Sequence, residues 1–182
     1  KIAGLYPRGF MSIVASQAGT GKTWLTQYIC CQLSRGGRIL DGMVARSPRY
    51  KSVIMSGETG AELLDLRLKS TCWDYVRENM KTYSAVEMMT EGEHIYLNTP
   101  EGQETAAAIF YAEHPDIVFY DTLISWHSMD ESKQAEMTGV YTFLLRMAKA
   151  FNCAVVVNHH TRKRPANMMS RKPTQEDVIG SS

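Results

Sequence analysis

Eight consecutive residues, Ser16-Gln17-Ala18-Gly19-Thr20-Gly21-Lys22-Thr23, have the types and spacing that hold phosphate. Glycines let a loop turn its backbone N–H groups toward one point. A lysine there reaches terminal phosphate oxygens, and a threonine hydroxyl coordinates Mg²⁺. The chemistry implied is binding of a nucleoside triphosphate. Ser16 stands where this pattern ordinarily has glycine, and serine is small enough to keep the close packing. Contacts with the nucleotide are expected from Gln17, Ala18, Gly19, Thr20, Gly21, Lys22, Thr23 and Trp24.

Three further sets of polar groups each follow an apolar run. Asp121 closes Ile117-Val118-Phe119-Tyr120, where a carboxylate can hold Mg²⁺ beside Thr23. Glu58 follows Ser52-Val53-Ile54-Met55-Ser56-Gly57 and is the candidate that positions and polarises an attacking water. Phosphoryl transfer leaves little covalent chemistry to the protein, so water placement and charge neutralisation supply most of the rate. The competing reading of Glu58 is a carboxylate at a helix start, near the positive end of its dipole. His159 and His160 follow Ala154-Val155-Val156-Val157-Asn158 and could donate to a phosphate oxygen. Neighbours on a strand point to opposite faces, so the pair suits zinc poorly, and the residues alone leave open which histidine meets the nucleotide.

The elements that must position these groups alternate along the chain. Phe10–Ala15 reads as a buried strand and Trp24–Leu33 as the helix after the loop, aiming its positive end at the phosphates. Ser52–Ser56 is a second strand, and Ala61–Met80 reads as a helix. Residues 81–100 are weakly patterned, with Ile95-Tyr96-Leu97 a candidate strand and Glu91-Gly92-Glu93 a turn. Thr105–Glu113 reads as a helix stopped by Pro115, then Ile117–Asp121 as a strand, Met137–Phe151 as a helix and Ala154–Val157 as a strand. Alternation of this kind predicts an α/β fold with a mostly parallel central sheet covered by helices on both faces. Ligands of such sheets bind outside the carboxyl ends of the strands, where all four polar groups fall.

Composition is that of an ordinary globular chain: 182 residues, 44% hydrophobic, 21% charged and a net charge of +1. A domain that bound nucleic acid by bulk charge alone would be more basic. No apolar run approaches membrane-span length. Cys30, Cys31, Cys72 and Cys153 have no Cys-x-x-Cys spacing and lie in apolar patterns, so buried thiols in a reducing cytoplasm are expected. The chain starts at Lys1 and stops at Ser182, which suggests one domain excised from a longer protein. Residues 161–182 read as a basic mobile loop, with Arg162, Lys163, Arg164, Arg171 and Lys172 preceding its first acid, Glu176.

The phosphate loop, Ser56-Gly57-Glu58, the strand into Asp121 and His159-His160-Thr161-Arg162-Lys163 together resemble the RecA-like P-loop ATPases of the plasmid RepA helicase type, relatives of the DnaB hexameric helicases. Asp177-Val178-Ile179-Gly180-Ser181-Ser182 resembles the same family's pattern, with Ile179 where arginine is common. The resemblance covers nearly the whole chain except residues 81–100. It implies a RecA-like ATPase fold with ATP and Mg²⁺, subunits in a ring, and single-stranded DNA in the central channel. It further implies that Lys22 and Thr23 bind phosphate and Mg²⁺, that Asp121 assists the metal and that Glu58 is the general base. His159 takes the place of a phosphate-sensing glutamine, and Arg162, Lys163 and Arg164 become candidate DNA contacts. A ring would repeat that basic segment around one channel and focus a field that one copy lacks. A recombinase, a metabolic phosphoryl-transfer enzyme and a nucleotide-sensing module are the alternatives that the residues leave open.

Overall fold

The computed structural model describes residues 2, 4–40, 43–44, 49–71, 78–129 and 134–161. In chain order its elements are strand β1 (Phe10–Ser16), helix α1 (Lys22–Arg35), a small antiparallel pair β2 (Arg38–Leu40) and β3 (Met43–Val44), and strand β4 (Ser52–Ser56). Helix α2 (Ala61–Thr71), strand β5 (Met80–Ser84), and helices α3 (Ala85–Thr90) and α4 (Pro100–Glu113) follow. Strand β6 (Ile117–Asp121), a 3-10 turn at Leu123–Trp126, helix α5 (Gln134–Ala150) and strand β7 (Ala154–His160) complete the order.

Five of the strands form one sheet in the order β1-β7-β6-β4-β5, and every pairing within it is parallel. Parallel strands buried on both faces read as continuous apolar runs, and β4 and β6 are buried at every position. Alternation splits their side chains between two cores. Ile54, Ile117, Phe119, Ala154 and Val156 face Ile29, Leu33, Leu64 and Leu68 of α1 and α2. Val53, Met55, Val118, Tyr120, Val155 and Val157 face Ile109 and Phe110 of α4 and Val140, Phe143 and Leu144 of α5. Helices therefore cover both faces of an all-parallel sheet, and the fold is that of a RecA-like P-loop NTPase.

Several boundaries differ from the sequence reading for identifiable reasons. Strand β1 is an edge strand and not a buried one: Phe10 is 56% exposed and β1 pairs only with β7 among the described residues. Helix α2 ends by Thr71 within the described residues, and Met80 opens β5, a strand whose alternating polar residues conceal it. Ile95-Tyr96-Leu97 is not a strand. Ile95 and Leu97 are buried, but the Tyr96 carbonyl accepts from Thr99 Oγ1 at 2.8 Å and the Leu97 carbonyl from Gln103 Nε2 at 2.9 Å. Those bonds seat the segment on the start of α4, which Thr99 caps through Gly102 N at 3.1 Å, five residues before the predicted start. A Cβ on Gly102 would lie 2.1 Å from the Tyr96 carbonyl oxygen, so only glycine admits this approach. Helix α4 ends on His114 in the left-handed region, directly before Pro115.

The cysteines also divide. Cys30 and Cys153 are buried free thiols, and burial pushes both well up, that of Cys153 to about 12. Cys31 is disulfide-bonded, contrary to the expectation of four free thiols. The expectations for Cys72, for the basic run from Arg162 and for the tail to Ser182 fall outside the described residues. No described helix is long and apolar enough to cross a membrane.

Candidate functional site

The four strands whose ends carry the polar groups are neighbours: β1, β7, β6 and β4 occupy consecutive places in the sheet. Register aligns their ends, with Ser16 opposite His160 and Ser56 opposite Asp121. Gly57 N donates to the Asp121 carbonyl at 2.8 Å and Thr161 N to the Ser16 carbonyl at 3.1 Å, so the chain leaves each pair of strands in step.

The loop between β1 and α1 is built for an anion. Gly19 (φ 76°) and Gly21 (φ 92°) lie in the left-handed region, which side chains penalise. Ala18, Gly19 and Thr20 are exposed, whereas Gln17, Gly21 and Thr23 are partly covered. No side chain caps the start of α1, in contrast to α3 and α4, which Ser84 and Thr99 cap. The first N–H groups of α1 therefore keep their donors for an outside acceptor. Ser16, at the position where the motif departs from glycine, is used: its hydroxyl bonds Thr20 Oγ1 at 2.5 Å.

Lys22 is folded onto this loop and only 8% exposed. Its ammonium donates to Ser16 O at 3.0 Å, Ser16 Oγ at 3.2 Å and Gln17 O at 3.0 Å, and it lies 3.1 Å from His160 Nδ1. Burial lowers its pKa from the ordinary value, partly offset by the negative charges of Asp121 and Glu58.

Glu58 stands just beyond the end of β4. Its Oε1 accepts from Thr122 Oγ1 at 3.0 Å and pairs with His160 Nε2 at 3.0 Å. Burial is the largest influence on this carboxyl and pushes its pKa up. Hydrogen bonds from His160 and Thr122, with the attraction of His160 and Lys22, together outweigh it and hold the group below its usual value. The backbone before Glu58 is equally confined, because a Cβ on Gly57 would lie 2.7 Å from Thr122 O and 2.8 Å from Ser125 Cβ.

Asp121 is 5% exposed, and Asn158 Nδ2 donates to its Oδ1 at 2.8 Å. The same nitrogen donates to Thr26 Oγ1 at 2.8 Å, four residues after Lys22 on α1. No cluster of three His, Cys, Asp or Glu exists among the described residues to cage a metal alone. Mg²⁺ needs no such cage, since it keeps several waters and takes one or two protein oxygens beside phosphate. A buried, oriented Asp121 and the hydroxyl of Thr23 fit that requirement.

The structure thus brings Lys22 and Glu58 each into contact with His160, with Asp121 opposite Ser56 on the adjoining strand. The imidazole between Lys22 and Glu58 belongs to His160, where the family resemblance favoured His159. Alternation along β7 sends the two rings to opposite faces, and His159 is buried beside Ala15 in the ladder. Trp24, half exposed on α1, carries the Arg67 guanidinium of α2 over its ring at 5.5 Å from the centroid. Sequence reasoning passed over Asn158, Thr26, Thr122 and Arg67. For Asn158 a signal existed, namely a carboxamide continuing a four-residue apolar strand toward a polar end.

No curated relative matches the chain. A family model described as an AAA domain matches residues 1–166, and with this fold and phosphate loop the chain belongs to that AAA family of P-loop ATPases.

Proposed function

We propose that this chain is the ATP-hydrolysing core of a DNA-dependent motor of the RepA helicase type. The observation that carries hydrolysis is the convergence of Lys22 and Glu58 on His160, at 3.1 Å and 3.0 Å from its ring, at the carboxyl ends of the central strands. In this reading the loop N–H groups of Gly19 to Thr23 and the Lys22 ammonium hold the phosphates of ATP. Thr23 and Asp121 would hold Mg²⁺, which when bound neutralises charge on the phosphate oxygens.

Glu58, held below its usual pKa, is ionised at neutral pH and free to accept. It accepts a hydrogen bond from water, orients the lone pair toward the terminal phosphorus and takes the proton as the O–P bond forms. Lys22 compensates negative charge on the terminal oxygens. The leaving group is ADP, and Glu58 returns its proton to solvent. Asn158 and Thr26 keep Asp121 in place throughout.

The DNA-dependent part rests on the likeness of the Glu58, Asp121 and His159-His160-Thr161-Arg162-Lys163 segments to RepA-type helicases, and on the basic run Arg162, Lys163 and Arg164 following β7. Single-stranded DNA through a ring of copies is the partner this reading names. The test is ATP turnover by the purified full-length protein with and without single-stranded DNA over a salt series. Stimulation that fades with salt is the expected result. Lys22→Ala should abolish turnover while leaving the circular-dichroism spectrum intact. Turnover unchanged by that substitution would overturn the site, and turnover indifferent to DNA would overturn the motor.

A further inference from the structure

We infer that Ser16 is a positioning residue: its hydroxyl, standing where the motif ordinarily has glycine, ties the tip of the phosphate loop into the shape that nucleotide needs. This role rests on the nucleotide-binding reading above and adds what shapes the loop. Proton count gives the hydroxyls a direction. An ammonium can only donate, so Ser16 Oγ accepts from Lys22 Nζ at 3.2 Å. Thr20 Oγ1 has one proton to give, and the Gln17 carbonyl accepts it at 2.8 Å. Across the 2.5 Å contact between the two hydroxyls, Ser16 is then the donor. The opposite sense would leave the Ser16 proton only the Gln17 carbonyl at 3.5 Å, too long for a good bond. One directed series therefore runs from Lys22 through Ser16 and Thr20 to the Gln17 carbonyl, closing the loop on itself.

The tip needs such a tie. Thr20 lies between Gly19 (φ 76°) and Gly21 (φ 92°), and glycine loses more conformational freedom than any other residue when a loop is fixed. Ala18, Gly19 and Thr20 are all exposed, so packing does not hold them. Ser16, by contrast, is anchored as the last residue of β1 and pairs with His160 of β7. The bonds among Ser16, Thr20 and Gln17 use hydroxyls and one carbonyl, and they occupy no loop N–H group that phosphate would need. Nor does Lys22 depend on the Ser16 hydroxyl, because the carbonyls of Ser16 and Gln17 each hold it at 3.0 Å. Losing the hydroxyl loosens the tip without releasing the lysine. A loop ordered in advance gives up less freedom on binding, so its ligand binds more tightly. Glycine at position 16 would remove the tie and add a further freely turning residue. The ordinary motif residue should therefore bind nucleotide less well in this chain.

Calorimetric titration of the full-length protein with ADP and Mg²⁺ reads affinity without any turnover. Ser16→Gly, which restores the usual motif, and Ser16→Ala should each raise Kd about 3- to 10-fold, the worth of one hydrogen bond. Thr20→Val should do the same, and Thr20→Ser, which keeps the hydroxyl, should recover most of that loss. Ser16→Ala combined with Thr20→Val should bind no more than about twofold weaker than the weaker single variant, because both break one tie. Melting temperatures of the nucleotide-free variants should stay at the wild-type value, since the bonded hydroxyls lie in an exposed loop. With ATP as substrate the loss should fall on KM and not on kcat. Ser16→Gly binding ADP as tightly as the wild type overturns the inference, and so do Ser16 and Thr20 losses that multiply. A lowered melting temperature with unchanged Kd would make the hydroxyls structural only and overturn it equally. If Kd responds as expected in a protein that turns over no ATP, the hydrolysis reading fails while the role of Ser16 stands.

Discussion

Asn158 holds Asp121: its Nδ2 donates at 2.8 Å to Oδ1 of the carboxylate and, with its other hydrogen, at 2.8 Å to Thr26 Oγ1. One carboxamide on β7 thereby ties the acid on β6 to the helix that follows the phosphate loop. A buried carboxylate without a donor costs free energy, and this one also has to face a fixed direction to hold a metal.

Asn158→Ala should therefore act twice. Leaving Asp121 with a lost partner should lower stability by about 1–3 kcal/mol. It should also raise the Mg²⁺ concentration needed for half-maximal ATPase, about 10-fold or more. Thermal unfolding and an Mg²⁺ titration of turnover check the two effects separately. Destabilisation with an unchanged Mg²⁺ requirement would make Asn158 a structural residue only.

Gly57 governs where Glu58 stands. A methyl group there meets Thr122 O at 2.7 Å and Ser125 Cβ at 2.8 Å, and since one of those atoms is backbone, the ends of β4 and β6 must separate. Gly57→Ala should retain nucleotide affinity, measured with a fluorescent ADP analogue, because the phosphate loop lies on β1. Its kcat should fall about 10²-fold, as a shift near 1 Å in a reacting group costs that much. Wild-type kcat in this variant would show that the position of Glu58 does not limit the reaction.

The pH dependence of Glu58 has a definite sign. Its folded pKa is held below the unfolded value by His160, Thr122 and Lys22 against the opposing pull of burial. The carboxylate's contribution to stability is thus present above the unfolded pKa and is lost as pH falls through the folded one. With Glu58 half exposed, solvent screens the contribution to a small one. Glu58→Gln should flatten the stability profile in the acid range below the ordinary glutamate pKa and leave it unchanged above pH 7. In the wild-type enzyme an acid limb of kcat/KM assigned to Glu58, which reports the free enzyme, should lie below that same value.

Much of this arrangement was legible in the residues. Lys22 could be placed because it stands in the phosphate loop, and Glu58 and Asp121 because each follows an apolar run, since strand ends in a parallel sheet converge. The choice between His159 and His160 was not legible, because it depends on which face of β7 meets the loop, and that is set by the pairing of Ser16 with His160. Strand β5 escaped notice because Lys81 and Thr82 interrupt its apolar pattern at the sheet edge, where one side of a strand need not be buried. Conversely, Ile95 and Leu97 have a strand's pattern and are buried, yet the Tyr96 carbonyl accepts from the Thr99 side chain, the Leu97 carbonyl from that of Gln103, and Leu97 N donates to the Trp126 carbonyl. Periodicity reports burial, and only the partners of the backbone decide between a ladder and a buried loop.

The opposite end of the sheet offers a control on all of these changes. Asp116, just before β6, accepts from Arg8 through Oδ1 and from Lys51 N at 2.7 Å through Oδ2, and its carbonyl accepts from Ala154 N at 2.9 Å. Arg8 also donates to Asn152 O at 2.9 Å and lies over the Tyr50 ring. One carboxylate thus gathers the entries to β1, β4 and β6 while lying at the strand ends away from Lys22 and Glu58. Losing its charge-assisted bonds in Asp116→Ala should cost about 2 kcal/mol, a Tm lower by about 4–8 °C for a chain of this length. Because the bonds are shared, Arg8→Ala in that background should cost much less than it does alone, a coupling of about 0.5–3 kcal/mol in a double-mutant cycle. KM for ATP and the Mg²⁺ requirement should stay at wild-type values well below the melting range. A change in either would mean that the two ends of the sheet are not independent, and that stability and catalysis here cannot be altered separately.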